Sequence, residues 1–255
     1  MSRKILLSFD IEEFDMPLEY KYNISPMQQI SIGKLGLDQI MPILDDSNIQ
    51  CTLFTTANFA SHYKKEIKQL SQKHEIASHT YFHSTYKKED LLHSKIVLNE
   101  ITQKEITGLR MPRMKFVPIE DVKEAGYEYD ASINPTFLPG RYNNLHLPRT
   151  IYQEDNIKRI PASVSPNFRI PLFWLSFKNF PYKIYEMIAL QTLKRDGYLS
   201  LYFHPWEFID ISKYGLPKYT TKGCNGELLN DLSRLINKLK NEAEFITMKE
   251  FALQN

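Results

Sequence analysis

Cysteine is nearly missing from this chain, with only Cys51 and Cys224 among 255 residues. One bridge would be a poor framework for a chain of this size, so a disulfide-stapled scaffold is excluded and a reducing compartment fits. Neither cysteine has a ligand-like neighbour, and both read as buried or idle thiols. Glycine is scarce at 9 residues, and the 42% hydrophobic and 13% aromatic content excludes collagen-like and disordered classes. Charge of one sign is lacking too. Lysine plus arginine number 32 against 30 for aspartate plus glutamate, a net +2. No basic tract interleaves with stacking aromatics, so no nucleic-acid partner is expected. There is no internal repeat, and no apolar run has the make-up of a signal peptide, so a cytoplasmic location is expected. The size suits a single α/β barrel domain over residues 1–255.

What is present is an alternation of strand and helix. Residues 4 to 9 form an apolar run that empties into Asp10-Ile11-Glu12-Glu13-Phe14-Asp15, as a buried strand ending in carboxylates would. Strand periodicity puts Asp10 and Glu12 on one side and Glu13 on the other. Glu13 and Asp15 read as solvated surface acids. Helical spacing covers 37–44, 59–70, 88–104, 119–125, 182–195 and 228–239. In the 88–104 helix the apolar side is expected to hold Leu91, Leu92, Ile96, Val97 and Ile101. Strands are expected at 49–55, 74–77, 106–112, 127–132, near 158–161, at 198–203 and, closing the chain, at 244–248. Seven prolines between Pro135 and Pro181 mark irregular loops. Within them Phe173 to Phe177 could touch lipid, with a core role the better expectation, and the stretch is too short to span a bilayer.

Three strand ends carry chemistry. The first delivers Asp10 and Glu12; the second is followed by His79-Thr80-Tyr81-Phe82-His83; the third leads into His204-Pro205-Trp206-Glu207. Two imidazoles four residues apart can share one point if the backbone is helical there, a spacing that suits a divalent metal. In a chain with seven histidines such a pair arises by chance roughly 0.2 times, so the spacing alone is a moderate signal. Parallel α/β folds collect their active sites at the carboxyl ends of strands, which is where all three groups fall.

Five stretches together resemble the polysaccharide deacetylases of the NodB-homology type, carbohydrate esterase family 4, over nearly the whole chain. Ser8-Phe9-Asp10-Ile11-Glu12 is similar to the motif with an aspartate base and a metal-binding carboxylate. His79 to His83, preceded by His74-Glu75-Ile76, is similar to the His-Ser/Thr-x-x-His metal motif. Gly108-Leu109-Arg110-Met111-Pro112 resembles the Arg-x-Pro motif, and Leu201-Tyr202-Phe203-His204 the Leu-x-x-His motif of the catalytic acid. The resemblance implies a distorted (β/α)7 barrel that hydrolyses the N-acetyl group of a sugar in a polysaccharide or a lipid- or nucleotide-linked precursor. It implies a divalent metal, with zinc the expected ion, held by Glu12, His79 and His83. It further implies Asp10 as base, Arg110 as its support and His204 as acid, with Pro112, Tyr202 and Trp206 lining the substrate groove.

Departures from the family pattern are also plain. The best-known branch has two adjacent aspartates in this motif, whereas here the next carboxylate stands two residues after Asp10, as Glu12, followed by Glu13, which leaves the third ligand open between the two. The Asp-x-x-Asp-Trp motif has no clear equivalent, which leaves the tuning of His204 unassigned, and the usual Gly-Pro is missing after the first motif. Two alternatives therefore stand beside the deacetylase: an amidase for small non-sugar amides, and a non-catalytic glycan-binding relative whose metal site the Glu12 change has spoiled.

Overall fold

The computed structural model describes residues 2–255. Seven parallel strands form its centre: β1 (Lys4–Ile11), β2 (Thr52–Thr55), β3 (Glu75–Ser78), β4 (Gly108–Leu109), β5 (Tyr129–Asp130), β6 (Ile157–Arg159) and β7 (Tyr198–Phe203). Their order is β7-β1-β2-β3-β4-β5-β6, a sheet curled into a distorted (β/α)7 barrel. Between β6 and β7, among the described residues, Ser163 N–H donates to Ser200 O (2.9 Å) and Ser200 N–H to Ser163 Oγ (2.8 Å), joining the two edges of the sheet.

Both faces of β1 are covered, which is why it is apolar through Ile5, Leu6 and Leu7 and again at Phe9 and Ile11. Ile5, Leu7, Phe9 and Ile11 pack outward against the helices, while Leu6 joins the inner core with Phe54, Ala77, Tyr129, Ile160 and Met248. Period-2 alternation then aims Ser8 and Asp10 into the barrel above that inner core. The same rule on β7 sends Leu199, Leu201 and Phe203 outward and leaves Tyr202 and His204 on the site's side.

Several elements differ from expectation. The helix expected over 37–44 runs Pro26–Leu44, starting a full three turns before residue 37, because Ser25 and Gln28 form a reciprocal cap. The 59–70 helix is two, Ala57–His62 and Lys64–Leu70, broken at Tyr63. In the helix Glu89–Thr102 the buried face is Leu91, Ser94, Leu98 and Ile101, whereas Leu92 and Ile96 are exposed. The closing strand is only Glu244–Phe245. After it, Thr247 caps a helix, Met248–Gln254, whose Met248 and Phe251 plug the floor of the barrel. The 135–181 stretch contains a small hairpin (Phe137–Leu138 with Tyr142–Asn143), a strand Tyr152–Glu154 antiparallel to β6, and the helix Trp174–Asn179.

The helix Pro26–Leu44 fixes the height of two site loops. A Cβ on Gly33 would lie 2.2 Å from the Glu12 carbonyl oxygen, and one on Gly36 would lie 2.5 Å from the backbone of Pro205 and Trp206. Two glycines three residues apart thus let one helix press on both the Glu12 and the His204 loops. Gly36→Ala should destabilise the fold by about 1–3 kcal/mol, the usual cost of overpacking, read as a lower denaturant midpoint with an unchanged m-value.

Candidate active site

Asp10 sits at the end of β1, 3% exposed, with Oδ1 accepting a 2.7 Å hydrogen bond from Arg110. Arg110 is itself buried. It also donates to Ser8 Oγ (3.0 Å) and the Ala131 carbonyl, and its guanidinium lies 4.0 Å above the Phe54 ring and 5.0 Å from Tyr202. A guanidinium so enclosed has one geometry, and it holds the carboxylate in one as well. Burial would raise the Asp10 pKa, but Arg110, with His79 and His204, outweighs burial and holds it below the usual carboxylate range. Oδ2 stays turned toward His204 Nε2 (3.7 Å) and His79 Nε2 (4.0 Å).

Glu12, His79 and His83 converge beside it. Glu12 Oε2 lies 3.0 Å from His79 Nε2 and 3.1 Å from His83 Nε2. The histidines do not share a helix, as their spacing suggested. They flank a loop in which Thr80 takes a left-handed conformation (φ 63°), and the two rings stack with centroids 5.5 Å apart. Each ring is fixed through its other nitrogen: His79 Nδ1 lies 2.7 Å from the Arg110 carbonyl oxygen, and His83 Nδ1 2.7 Å from Asp15 Oδ1. Asp15 is held in turn by Arg113 at 2.9 Å.

Both surface assignments for the acids therefore fail. Asp15 is 1% exposed because it orients His83. Glu13 is 5% exposed because it points away from the site and accepts from Thr56 (2.7 Å) and Asn58 (2.5 Å). With its oxygens so engaged, Glu13 drops out as a ligand and Glu12 remains.

The donor set fits a divalent metal. A proton donated from His79 Nδ1 to the Arg110 carbonyl leaves a lone pair on Nε2, and this faces the Glu12 Oε2 lone pair; both atoms are buried without a hydrogen-bond partner. Two acceptors face to face call for a cation between them, and a carboxylate with two imidazoles is a common zinc set. Glu12 Oε1 is steadied separately by the Trp206 indole N–H at 3.0 Å. Burial alone would lower the His83 pKa, but Glu12 and Asp15 push it up to about 9.

His204 follows β7, and its missing support turns out to be local. Glu207 Oε1 lies 3.0 Å from His204 Nδ1 and accepts the His204 backbone N–H at 2.8 Å, and Glu207 Oε2 forms a 2.8 Å ion pair with Lys178, both side chains fully buried. Trp206 stacks on the imidazole at 4.8 Å and Trp174 meets it edge-on at 5.1 Å. Burial would lower the His204 pKa, yet Glu12, Glu207 and Asp10 raise it. Burial would likewise raise that of Glu207, which Lys178 and His204 hold down. The His-Pro-Trp-Glu spacing could have pointed to Glu207. Lys178, 29 residues earlier in the chain on the helix Trp174–Asn179, left no such trace.

These groups open into a cavity of about 230 Å³ walled by Tyr20, Tyr142, Phe173, Trp174, Tyr202 and Trp206. Tyr202 and Trp206 thus reach the site as expected, though 5% and 3% exposed. Pro112 lines an adjoining cavity of about 1010 Å³, which shares Arg113, Arg141 and Tyr142 with the first. Phe173 and Phe177 are buried, so that segment meets the core and the pocket.

The barrel mouth thus brings a buried carboxylate, a metal-type donor set and a histidine to one cavity. Residues 32–129 match the family model described as polysaccharide deacetylase. No curated protein sequence matches the chain. Among solved structures, the chain is similar to a probable polysaccharide deacetylase from Pseudomonas aeruginosa PAO1, with 16% identity, a TM-score of 0.69, and 98% of this chain and 89% of that one covered. It is similar to Puue allantoinase, with 18% identity, a TM-score of 0.66, and 98% and 88% covered. It also resembles a CE4-family pseudoenzyme from Bacillus anthracis, with 10% identity, a TM-score of 0.53, and 98% and 66% covered. At these identities the likeness is one of fold. The family match covers less than half of the chain, and with the shared fold it makes a polysaccharide deacetylase what the chain is similar to. The matched stretch holds His79, His83 and Arg110; Asp10, Glu12 and His204 lie outside it and join the site through the fold.

Because His83 keeps its proton up to about pH 9 in the metal-free protein, a metal must displace that proton to bind. Apparent metal affinity should therefore rise about tenfold per pH unit between about pH 6 and 8 and level off above 9. Calorimetric titration in buffers of different ionisation enthalpy would count the proton released.

Proposed function

We propose that this protein is a metal-dependent deacetylase that hydrolyses the N-acetyl group of a sugar within a lipid- or nucleotide-linked glycan precursor. The observation that carries this reading is the pairing of an anchored base with a separately anchored acid. Asp10 Oδ2 and His204 Nε2 are 3.7 Å apart, beside the two unpartnered lone pairs of Glu12 and His79. A cytoplasmic setting belongs to the proposal, supported by the buried, unbridged Cys51 and Cys224.

An amide is a poor electrophile and water a poor nucleophile. Held by Glu12, His79 and His83, a divalent metal would polarise the acyl oxygen and lower the pKa of a water molecule. The chain's own residues supply the proton transfers. Asp10, its Oδ1 occupied by Arg110, has only Oδ2 with which to take a proton from the attacking water, so base and orientation come from opposite oxygens of one carboxylate. His204 Nε2 faces the same space and donates to the departing nitrogen. Glu207 at Nδ1 keeps the ring turned that way and favours the protonated form. Trp206 and Tyr202 wall the cavity and limit water.

The cavity also favours a second reading. At about 230 Å³ it is smaller than the roughly 300–1,000 Å³ common for ligand pockets, and it accepts one sugar ring or a small amide rather than a polymer segment. An amidase for small non-sugar amides meets the same chemistry. The likeness of fold to an allantoinase keeps that reading in view. Acetate release from N-acetylated sugars, set against ammonia or amine release from small amides, decides between them.

Metal content and acetate release separate the roles. His79→Ala should lose both. Asp10→Asn should keep stoichiometric metal and lose turnover by roughly 10²–10⁴-fold, the usual contribution of a general base. A metal-free protein that binds sugar equally well before and after Asp10→Asn would be the non-catalytic alternative.

A general acid must be protonated to act, so activity falls as pH rises through the pKa of His204. Glu207 is one of the groups raising that pKa. Glu207→Gln should therefore move the alkaline limb of the kcat profile to lower pH, while Glu207→Asp should restore part of it.

A further inference from the structure

Exposed aromatic side chains are confined to one face. Among the described residues, those with large exposure are Tyr22, Phe82, Phe116, Phe137, Phe168 and Tyr219. Each lies on a segment that follows the carboxyl end of a barrel strand: β1, β3, β4, β5, β6 and β7 in that order. The large apolar side chains exposed on the outer helices, such as Leu92, Ile96, Ile184 and Met187, are all aliphatic. The aromatic residues crowd the mouth. Tyr219 lines the catalytic cavity, Phe116 lines the cavity beside it, and Phe82 and Phe137 each precede a residue, His83 or Leu138, that lines the first. Arg169 binds the turn carrying Phe168 onto the segment after β5, through the carbonyls of Pro135 (3.1 Å) and Leu147 (2.9 Å).

Charge is segregated to the same face. The segments after the strands (12–25, 79–88, 110–118, 131–151, 160–173 and 204–226) carry eight exposed lysines and arginines against two exposed carboxylates, Glu19 and Asp210. The whole chain is only +2, so the rest of the surface is close to neutral or acidic. Lys21, Lys115, Arg141, Lys213, Lys218 and Lys222 belong to this set. Rings that sit at headgroup depth, mixed with cations that meet lipid phosphates, are what an anionic membrane surface attracts.

We propose that the mouth face seats this protein on an anionic lipid surface, with its pocket opening toward the bilayer. The other occupant such rings could serve is a polysaccharide chain. A chain would need a linear track, whereas these six rings stand on six separate segments after the strands, with the aliphatic Leu18 and Leu145 exposed on the same set of segments. A lipid-linked saccharide presented end-on places its terminal sugar in such a pocket. That identification of the cargo rests on the deacetylase reading; the docking itself does not.

The test is sedimentation of the full chain with vesicles of phosphatidylcholine alone and of phosphatidylcholine with about one-third phosphatidylglycerol. The protein should bind the anionic vesicles, release them with added salt, and ignore the neutral ones. Phe137→Ser combined with Lys213→Glu and Lys218→Glu should bind at least about tenfold more weakly while releasing acetate from a soluble N-acetylated sugar at the unaltered rate. No binding to anionic vesicles overturns the proposal, as does equal binding by the triple variant. Retention on an insoluble acetylated polysaccharide in place of vesicles would also overturn it, by making the face a sugar track. Loss of acetate release in the wild-type protein with vesicle binding intact would count against the deacetylase alone.

Discussion

Two lone pairs, on Glu12 Oε2 and His79 Nε2, face each other across 3.0 Å in the interior of this protein. Left alone they repel, and burial removes the water that would screen them. Much of the surrounding structure fixes that confrontation in place. The Arg110 carbonyl oxygen takes the far nitrogen of His79, and the Trp206 indole takes the far oxygen of Glu12. Gly33 lets a helix lie against the Glu12 backbone. In the metal-free protein the imidazolium of His83 faces Glu12 Oε2 at 3.1 Å, and a metal would take the place of that proton.

The same device recurs around the site. Each reactive group has one polar atom committed to a buried partner and one free: Asp10 to Arg110, His83 to Asp15, His204 to Glu207. The partners are themselves answered, Asp15 by Arg113 and Glu207 by Lys178. Buried ion pairs of this kind add little to net stability, because desolvation takes back most of the attraction. Their effect is to leave each side chain one orientation. Catalysis needs that more than stability, since a group held in place does not have to reorganise as the reaction proceeds.

How much could be read from the chain depended on whether the signal was local. The run Ile5 to Phe9 announced a buried strand, and alternation then placed Asp10 and Glu12 together. The His79/His83 spacing pointed to the metal pair although its assumed helix is a loop bent at Thr80. What stayed hidden was tertiary. Glu13 and Asp15 looked like surface acids because nothing nearby in sequence shows that Thr56, Asn58 and Arg113 will meet them. Lys178 reaches Glu207 from a proline-rich stretch without periodicity. The final helix was missed for a different reason: at seven residues it is too short for a hydrophobic pattern, although Thr247 and Glu250 carry the spacing of a capping pair.

Glu12, and not Glu13, is the carboxylate placed to complete a metal site with His79 and His83. Anomalous diffraction from a crystal grown with zinc tests it most directly. One strong peak should lie within about 2.0–2.2 Å of Glu12 Oε2, His79 Nε2 and His83 Nε2, with Glu13 still bound to Thr56 and Asn58. A peak bonded to Glu13, or zinc absent from this position while bound elsewhere, would contradict it.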